Sequence, residues 1–412
     1  MATTVNSQDS ETRLKAQPHP RHLRILGYTP SYLPVAGGAQ YGLHELYTRL
    51  ARDAELTLVT PIYHDAEDKS GKDGYFAGEE VFRTIRYKRF PMWLARLAER
   101  NESAGKCVSL LGQVGTALHM AWYALRLKPD VIHLNYLVSS YPTARLLGWL
   151  GIRTPIVLSL IGRPDVFAED NGDYRRYRHV FRWMHSRVAA GIYQTPSVMG
   201  KTPPDARWMQ IPYGVKTDEL PVAPARTGPR RRWGTLSRLA SNKRVDWVLR
   251  AFAEVRQRHP DATLDIVGTG PERDRLLRLA GELGLGESVK FRGYVAEADL
   301  GRVLGEMDCF AFASESETFG IVLAQAMSIG LPIAVTASSC LPEVVTDGKN
   351  GFVGANTPAG LAEAMLRLMD SPDAADRMAR ENRRKAVEEY DWNVIAAQYM
   401  RVFRQVAGKA EE

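Results

Sequence analysis

Three loops of this chain carry glycines or charged side chains whose spacing could do chemistry. The first is Gly37-Gly38, just before an apolar-periodic segment that begins near Tyr41. Paired glycines let a backbone approach a ligand closely, and a helix N-terminus offers free N–H groups to an anion; a plain structural turn would use the same residues. The second is Ser237-Arg238-Leu239 followed by Lys243. Two cations across a strand-to-helix loop suit a diphosphate, which carries charge on two centres, and they also suit a solvated basic loop. The third runs from Ser314 to Met327, with Glu317 at a strand end, Gly320 permitting a tight helix entry and Gln325 about two turns further on. A carboxylate with nearby backbone donors can hold several hydroxyl groups at once, as a sugar ring presents them; a helix cap at Glu317 is the competing reading. His133 closes a fourth strand end with Asn135 and Tyr136 behind it. A lone histidine there is more often a hydrogen-bonded, half-buried residue than a catalyst.

These loops need strands to hold them. Short continuous apolar runs occur at Leu23–Gly27, Leu56–Thr60, Val131–Leu134, Ile156–Leu160, Leu264–Val267, Cys309–Ala313 and Ile333–Thr336. Continuous rather than alternating runs predict parallel strands covered by helices on both faces. Helical periods lie between them at Tyr41–Arg52, Val108–Leu127, Val245–Arg258 and Glu272–Leu283. The alternation breaks once, from Pro212 to Arg232, where Pro212, Pro221, Pro224, Gly228 and Pro229 precede three arginines. That composition is a linker, and it divides the chain into two α/β halves. Asp391–Ala407 resumes a helical period around Trp392, Ile395, Tyr399 and Phe403, a helix that could cross back to brace the first half.

The composition narrows the function classes. At 412 residues, with 45% hydrophobic and 25% charged content, the chain has the profile of a globular protein of two or three domains. Its 54 Lys+Arg against 47 Asp+Glu give a net charge of +7, which permits an anionic partner without calling for nucleic acid. Cys107, Cys309 and Cys340 are scattered, so neither a disulfide framework nor a zinc site is expected, and a cytoplasmic setting fits. No apolar run is long enough to span a bilayer, and the polar stretch Met1 to Arg21 reads as a disordered leader rather than a secretion signal.

Taken together, Gly37-Gly38, Ile211-Pro212-Tyr213-Gly214-Val215, Ser237-Arg238-Leu239 with Lys243, Val267-Gly268-Thr269-Gly270-Pro271, Glu317-Thr318-Phe319-Gly320 and Leu341-Pro342-Glu343 before Asp347-Gly348 resemble the retaining GT-B glycosyltransferases of family 4, the glycosyl transferases group 1. The resemblance runs from about Leu23 to Phe403 and is tighter in the second half. It implies an α/β fold of the GT-B type, two doubly wound Rossmann-like domains with a cleft between them. The expected division is a leader at 1–21, an N-terminal acceptor-binding domain at 22–212, a C-terminal nucleotide-sugar-binding domain at 213–390 and a C-terminal helix within 391–412.

The same resemblance assigns roles. Arg238 and Lys243 match positions that neutralise a diphosphate, and Glu317 matches the acid that holds sugar hydroxyls; these are the expected catalytic residues. Phe319 and Gly320 match the turn beside the sugar, Gly268 and Gly270 the turn beside the nucleotide, and Gly37 and Gly38 the loop that meets the phosphates on closure. A nucleotide-diphospho-sugar is thus the co-substrate, with no other cofactor and no metal, since fixed cations and N–H groups stabilise the leaving diphosphate and no Asp-x-Asp motif is placed to hold a divalent ion. Retention implies same-face attack, the departing phosphate accepting the hydroxyl proton.

Two positions depart from the pattern. Gln325 stands where an acid usually reaches the ribose, leaving an uncharged contact. Ile161-Gly162 stands where His-Gly usually meets the donor's 6-hydroxyl. An unpartnered hydroxyl against isoleucine costs about 1–3 kcal/mol, so a 6-deoxyhexose donor is expected; Ile161 as a core residue is the competing reading. His133, Asn135, Ile161 and Gly162 are the expected acceptor or sugar pocket.

The acceptor is expected to be a hydroxyl of a small soluble natural-product or metabolite intermediate, with or without a phosphate. The alternative is a lipid-linked envelope glycan, reached by peripheral contact at the inner membrane face through the arginine-aromatic segments Arg83–Arg96 and Tyr174–Arg187. In the second segment, Tyr177, Val180, Phe181 and Met184 also fit an ordinary inward-packed helix. From other classes, a non-catalytic sugar-nucleotide-binding protein remains open, and a nicotinamide oxidoreductase is disfavoured because no GxGxxG opens the first βα turn.

Overall fold

The computed structural model describes residues 22–32, 38–62, 83–88, 102–161, 172–199, 204–220, 222 and 229–409. Gly37, Gly162 and most of the Arg83–Arg96 segment lie outside the described residues. In the first half the strands are β1 Leu23–Tyr28, β2 Ala54–Ile62, β3 Arg83–Lys88, β4 Val131–Asn135, β5 Ile156–Ser159, β6 Ala190–Tyr193 and β7 Trp208–Gln210. In the second they are β8 Arg232–Leu236, β9 Thr263–Val267, β10 Val289–Gly293, β11 Cys309–Phe312, β12 Ile333–Thr336 and β13 Gly351–Gly354. The helices of the first half are α1 Gly38–Leu50, α2 Glu102–Leu127, α3 Leu137–Trp149, α4 Gly172–Arg187 and the short α5 Pro196–Met199. Those of the second are α6 Val245–Arg258, α7 Arg273–Glu282, α8 Glu297–Gly305, α9 Ile321–Ile329, α10 Leu341–Val344, α11 Pro358–Asp370, α12 Pro372–Glu389 and α13 Trp392–Val406.

Among the described residues the strands form two sheets, ordered β3-β2-β1-β4-β5-β6-β7 and β10-β9-β8-β11-β12-β13. Every paired strand runs parallel to its neighbour. Each strand order reverses beside the first strand of its half, and this is where open α/β sheets leave a crevice beyond the strands' carboxyl ends. The architecture is therefore two doubly wound, Rossmann-like domains.

Burial explains why the apolar runs predicted strands so well. β4, β11 and β12 have every residue buried, as expected for strands with helices on both faces; β6, equally buried, was not foreseen from its short AGIY run. On the helical side, α6 buries Val245, Val248, Leu249, Phe252 and Val255 at helical spacing, with Asp246 in its first turn and Arg256 and Arg258 in its last, charges that complement the helix dipole. α11 starts on Thr357, whose hydroxyl accepts from Gly360 N at 3.0 Å, and Pro358 fills the first turn.

α13 crosses from the second half to the first. Asp391 caps it by accepting from Asn393 N at 2.8 Å. Its buried face, with Ile395, Tyr399 and Phe403, joins a core cluster that also holds β1, α1 and parts of the second sheet. Tyr399 Oη lies 3.3 Å from Ser159 Oγ at the end of β5. The chain segment before β8 supports the same joint: Val215 N donates to Tyr390 O at 2.7 Å, and a Cβ on Gly214 would lie 2.2 Å from the Trp392 ring. Glycine at 214 is thus required for Trp392 to pack there.

Candidate active site

Arg238 sits on the loop that follows β8, and backbone packing fixes this loop. Ser237 N donates to Val267 O at 3.1 Å and Leu239 N to Thr269 O at 2.8 Å. Two glycines make the approach possible. A Cβ on Gly268, whose φ is +127°, would lie 1.9 Å from Ser237 O, and one on Gly270 would lie 2.3 Å from Leu239 O. Their packing role is to let the β9 loop lie flat against the loop that carries Arg238. The Arg238 side chain itself is exposed.

Lys243 and Glu317 arrive from different strands and meet. Lys243 ends a short 3-10 turn after β8, and Glu317 lies in the loop after β11. Lys243 Nζ is 2.5 Å from Glu317 Oε1, with both side chains largely shielded. The two loops are also tied through their backbones: Glu315 N donates to Asn242 O at 2.9 Å, and Arg244 pairs with Glu315 at 2.7 Å. On the other side, Glu317 N donates to Ser339 Oγ at 2.8 Å, and that hydroxyl donates to Glu317 O at 2.9 Å. Glu317 is therefore held by β11, β12 and the β8 loop together, and it does not cap a helix.

Gly320 has φ +79° and stands directly before α9, so a tight entry needs glycine here. Phe319 is buried, edge-on to Tyr390 at 5.1 Å, so its ring is core. Gln325 lies one turn into α9 and lines a cleft of about 270 Å³ between the two halves. Gly38, Arg238, Ile321 and Lys216 line it as well. A Cβ on Gly38 would lie 3.2 Å from Ile321 Cδ1, so the N-terminal ends of α1 and α9 face each other across the cleft.

Lys216 was not legible as a site residue. Its ammonium lies 3.1 Å from Glu45, 3.3 Å from Glu219 and 3.9 Å from Glu297. Partial burial works against its charge, but Glu45 and Glu297 outweigh that and raise its pKa. The position directly follows the Ile211–Val215 motif, the one signal that could have drawn attention to it. Two contacts across the domains were also unforeseen. Thr195 Oγ1 donates to Thr318 O at 2.8 Å, and Ser197 N donates to the Glu343 carboxylate at 3.1 Å.

The structure does not place His133 and Asn135 on the cleft wall. His133 is fully buried, its Nδ1 3.0 Å from Tyr47 Oη and its Nε2 2.8 Å from Ser159 Oγ. Burial pushes its pKa down to about 3. Asn135 donates to Tyr28 O at 2.8 Å and to Tyr47 Oη at 2.7 Å. Both belong to a buried polar network beneath the α1 and α13 interface. Ile161 is 7% exposed and packs in the adjoining core, so packing accounts for an apolar residue there. Val180, Phe181 and Met184 of α4 are likewise buried. Among the described residues no group of three or more His, Cys, Asp or Glu is placed to hold a metal ion.

Comparison with known proteins bears on the whole chain. Residues 218–385 match the family model described as Glycosyl transferases group 1. The chain is 28% identical to the GDP-mannose-dependent alpha-(1-6)-phosphatidylinositol monomannoside mannosyltransferase of Mycolicibacterium smegmatis, over 94% of this chain and 99% of that protein. It is 31% identical to the protein of the same name from Mycobacterium tuberculosis, over 60% of this chain and 73% of that one. Among solved structures, Anabaena Alr3699/HepE in complex with UDP superposes with a TM-score of 0.72 at 18% identity, over 93% of this chain and all of that one.

Proposed function

The chain belongs to the glycosyl transferases of group 1, and from that premise we propose that it moves a sugar from a nucleotide-diphosphate donor to an acceptor hydroxyl with retention at the anomeric carbon, without a metal. The observation that carries this reading is the cleft lined by Gly38, Arg238 and Gln325, at which the N-termini of α1 and α9 oppose each other, together with the Lys243–Glu317 pair on the loops that follow β8 and β11. Cations and unpaired N–H groups at helix starts suit a diphosphate, and a carboxylate beside them suits the hydroxyls of the attached sugar.

The donor would bind with its diphosphate between Arg238 and Lys243. The anomeric carbon–oxygen bond to phosphate then breaks while the acceptor oxygen attacks from the same face. The acceptor proton passes to the departing phosphate oxygen, so no separate protein base is needed. Lys243 would leave Glu317 to neutralise the diphosphate, and Glu317 would then accept from sugar hydroxyls. Gly268, Gly270 and Gly320 hold these groups in place, and most of the rate enhancement comes from fixed charge and orientation.

For the acceptor we propose the polyol or glycan headgroup of a membrane lipid, in place of the small soluble intermediate expected from the sequence. The support is the two mycobacterial relatives named as phosphatidylinositol monomannoside mannosyltransferases, one of which this chain covers almost end to end. Incubating the protein with a panel of nucleotide sugars, with and without glycolipid acceptor, tests the reading. Donor-dependent product of retained configuration is expected; no turnover of any nucleotide sugar would overturn it.

A further inference from the structure

The outer face of the first domain carries an apolar ridge with a basic flank. α2 turns Ala117, Met120, Ala121 and Ala124 inward and leaves Val114, Leu118, Trp122 and Leu125 about half exposed, at 48%, 57%, 50% and 59%. Spacings of four, four and three residues put these four on one helical stripe. A contiguous stripe of large exposed apolar groups is unusual on a soluble surface and marks an interaction site. Arg126 lies over the Trp122 ring, 5.1 Å from its centre.

The neighbouring helices extend this face. α2 packs on α3 and α3 on α4, with their inner sides in a common core, so their outer sides form one surface. On it Arg145 stands 5.2 Å from the Trp183 ring and Trp149 is 82% exposed. α4 contains five arginines, of which Arg178, Arg182 and Arg187 are exposed. Across the three helices the only carboxylates are Glu102 and Asp173.

We propose that this α2–α4 face docks the protein on an anionic lipid bilayer. Tryptophan and leucine enter the boundary between headgroups and acyl chains, and the arginines on the flank meet lipid phosphates. The charge decides against a second copy of the chain as the occupant, because pairing this face with itself sets arginines against arginines. Among the described residues no helix is long and apolar enough to cross a membrane, so the contact is peripheral. It involves no residue that lines the cleft and stands independently of the sugar-transfer reading.

The test is co-sedimentation of the full-length chain with phosphatidylcholine vesicles that contain or lack phosphatidylglycerol. The protein is expected to sediment with the anionic vesicles, and less so as salt is raised. Leu118→Ser with Trp122→Ala, and separately Arg178→Glu with Arg182→Glu, should each weaken that partitioning at least about tenfold, while donor hydrolysis and the circular dichroism spectrum stay unchanged. Equal binding to neutral vesicles, parental binding by either double variant, or a dimer on size exclusion that the Leu118/Trp122 variant dissolves would each overturn the proposal.

Discussion

Lys243 Nζ lies 2.5 Å from Glu317 Oε1, so the cation proposed to meet the diphosphate and the acid proposed to hold the sugar are partners of each other. Their roles are therefore coupled. Removing Lys243 takes away a phosphate contact and leaves a shielded carboxylate without its counter-charge. A hydrogen bond to a charged group contributes about 1.5–3 kcal/mol, so Lys243→Met and Glu317→Gln should each lower kcat/KM roughly ten- to a hundredfold. The double variant should lose less than the product of the two. Strictly multiplicative losses in steady-state kinetics would show that the pair does not act as a unit.

Arg238 is exposed at the cleft, and its loop is held by backbone bonds to the β9 loop rather than by its own side chain. Arg238→Ala should therefore melt at the parental temperature while losing on the order of a hundredfold in kcat/KM, the scale of a lost charge-assisted phosphate contact. Arg238→Lys should recover only part of that loss, because an ammonium cannot reproduce the planar fork. Near-normal turnover in Arg238→Ala would refute the diphosphate assignment.

Gly268 has φ +127° and no room for a Cβ, with Ser237 O at 1.9 Å. Gly268→Ala must shift the loop that carries Arg238, so it should both lower the melting temperature and raise KM for the donor. Backbone strain alone is about 1–3 kcal/mol. Gly281→Ala is the matched control: it lies within α7 with nothing within 4 Å of its Cβ position, and there alanine should be neutral or stabilising by about 0.4–1 kcal/mol. Equal melting temperatures for the two variants would contradict the steric argument.

The sequence reading found strands where burial on both faces leaves an unbroken apolar run, as in β4, β11 and β12. It missed β3 (RTIRYK) and β10 (VKFRG), which lie at sheet edges and mix charged with apolar residues, and it missed β6, β7, β8 and β13, which span only three to five residues and, in β6, β8 and β13, include glycine. Arg238, Lys243, Glu317 and Gly320 were singled out as candidates because each belongs to a short loop motif. Lys216 was not, since its place depends on Glu45 and Glu297, far away in sequence. His133 was misplaced for a related reason. A strand-end position suggests a cleft residue, but its ring points beneath the sheet toward Tyr47 and Tyr399, with Phe403 5.1 Å away. Which face a side chain takes is decided by helices from both halves, and no local pattern encodes that.

That burial gives His133 a pH signature. Its pKa is pushed down to about 3 in the folded protein and returns to about 6.5 on unfolding. Below pH 6.5 the unfolded chain takes up a proton that the folded chain refuses, so stability falls as pH falls. The contribution is complete above about pH 6.5 and is lost progressively toward pH 3, with a limiting slope of about 1.4 kcal/mol per pH unit. His133→Gln removes the titrating group while its amide can still reach Tyr47 or Ser159. The variant should be less stable than the parent at pH 8, and the gap should narrow on acidification. Denaturant titrations at several pH values measure this; a gap that stays constant or widens toward low pH would show that His133 is not the neutral, buried residue its two short contacts describe.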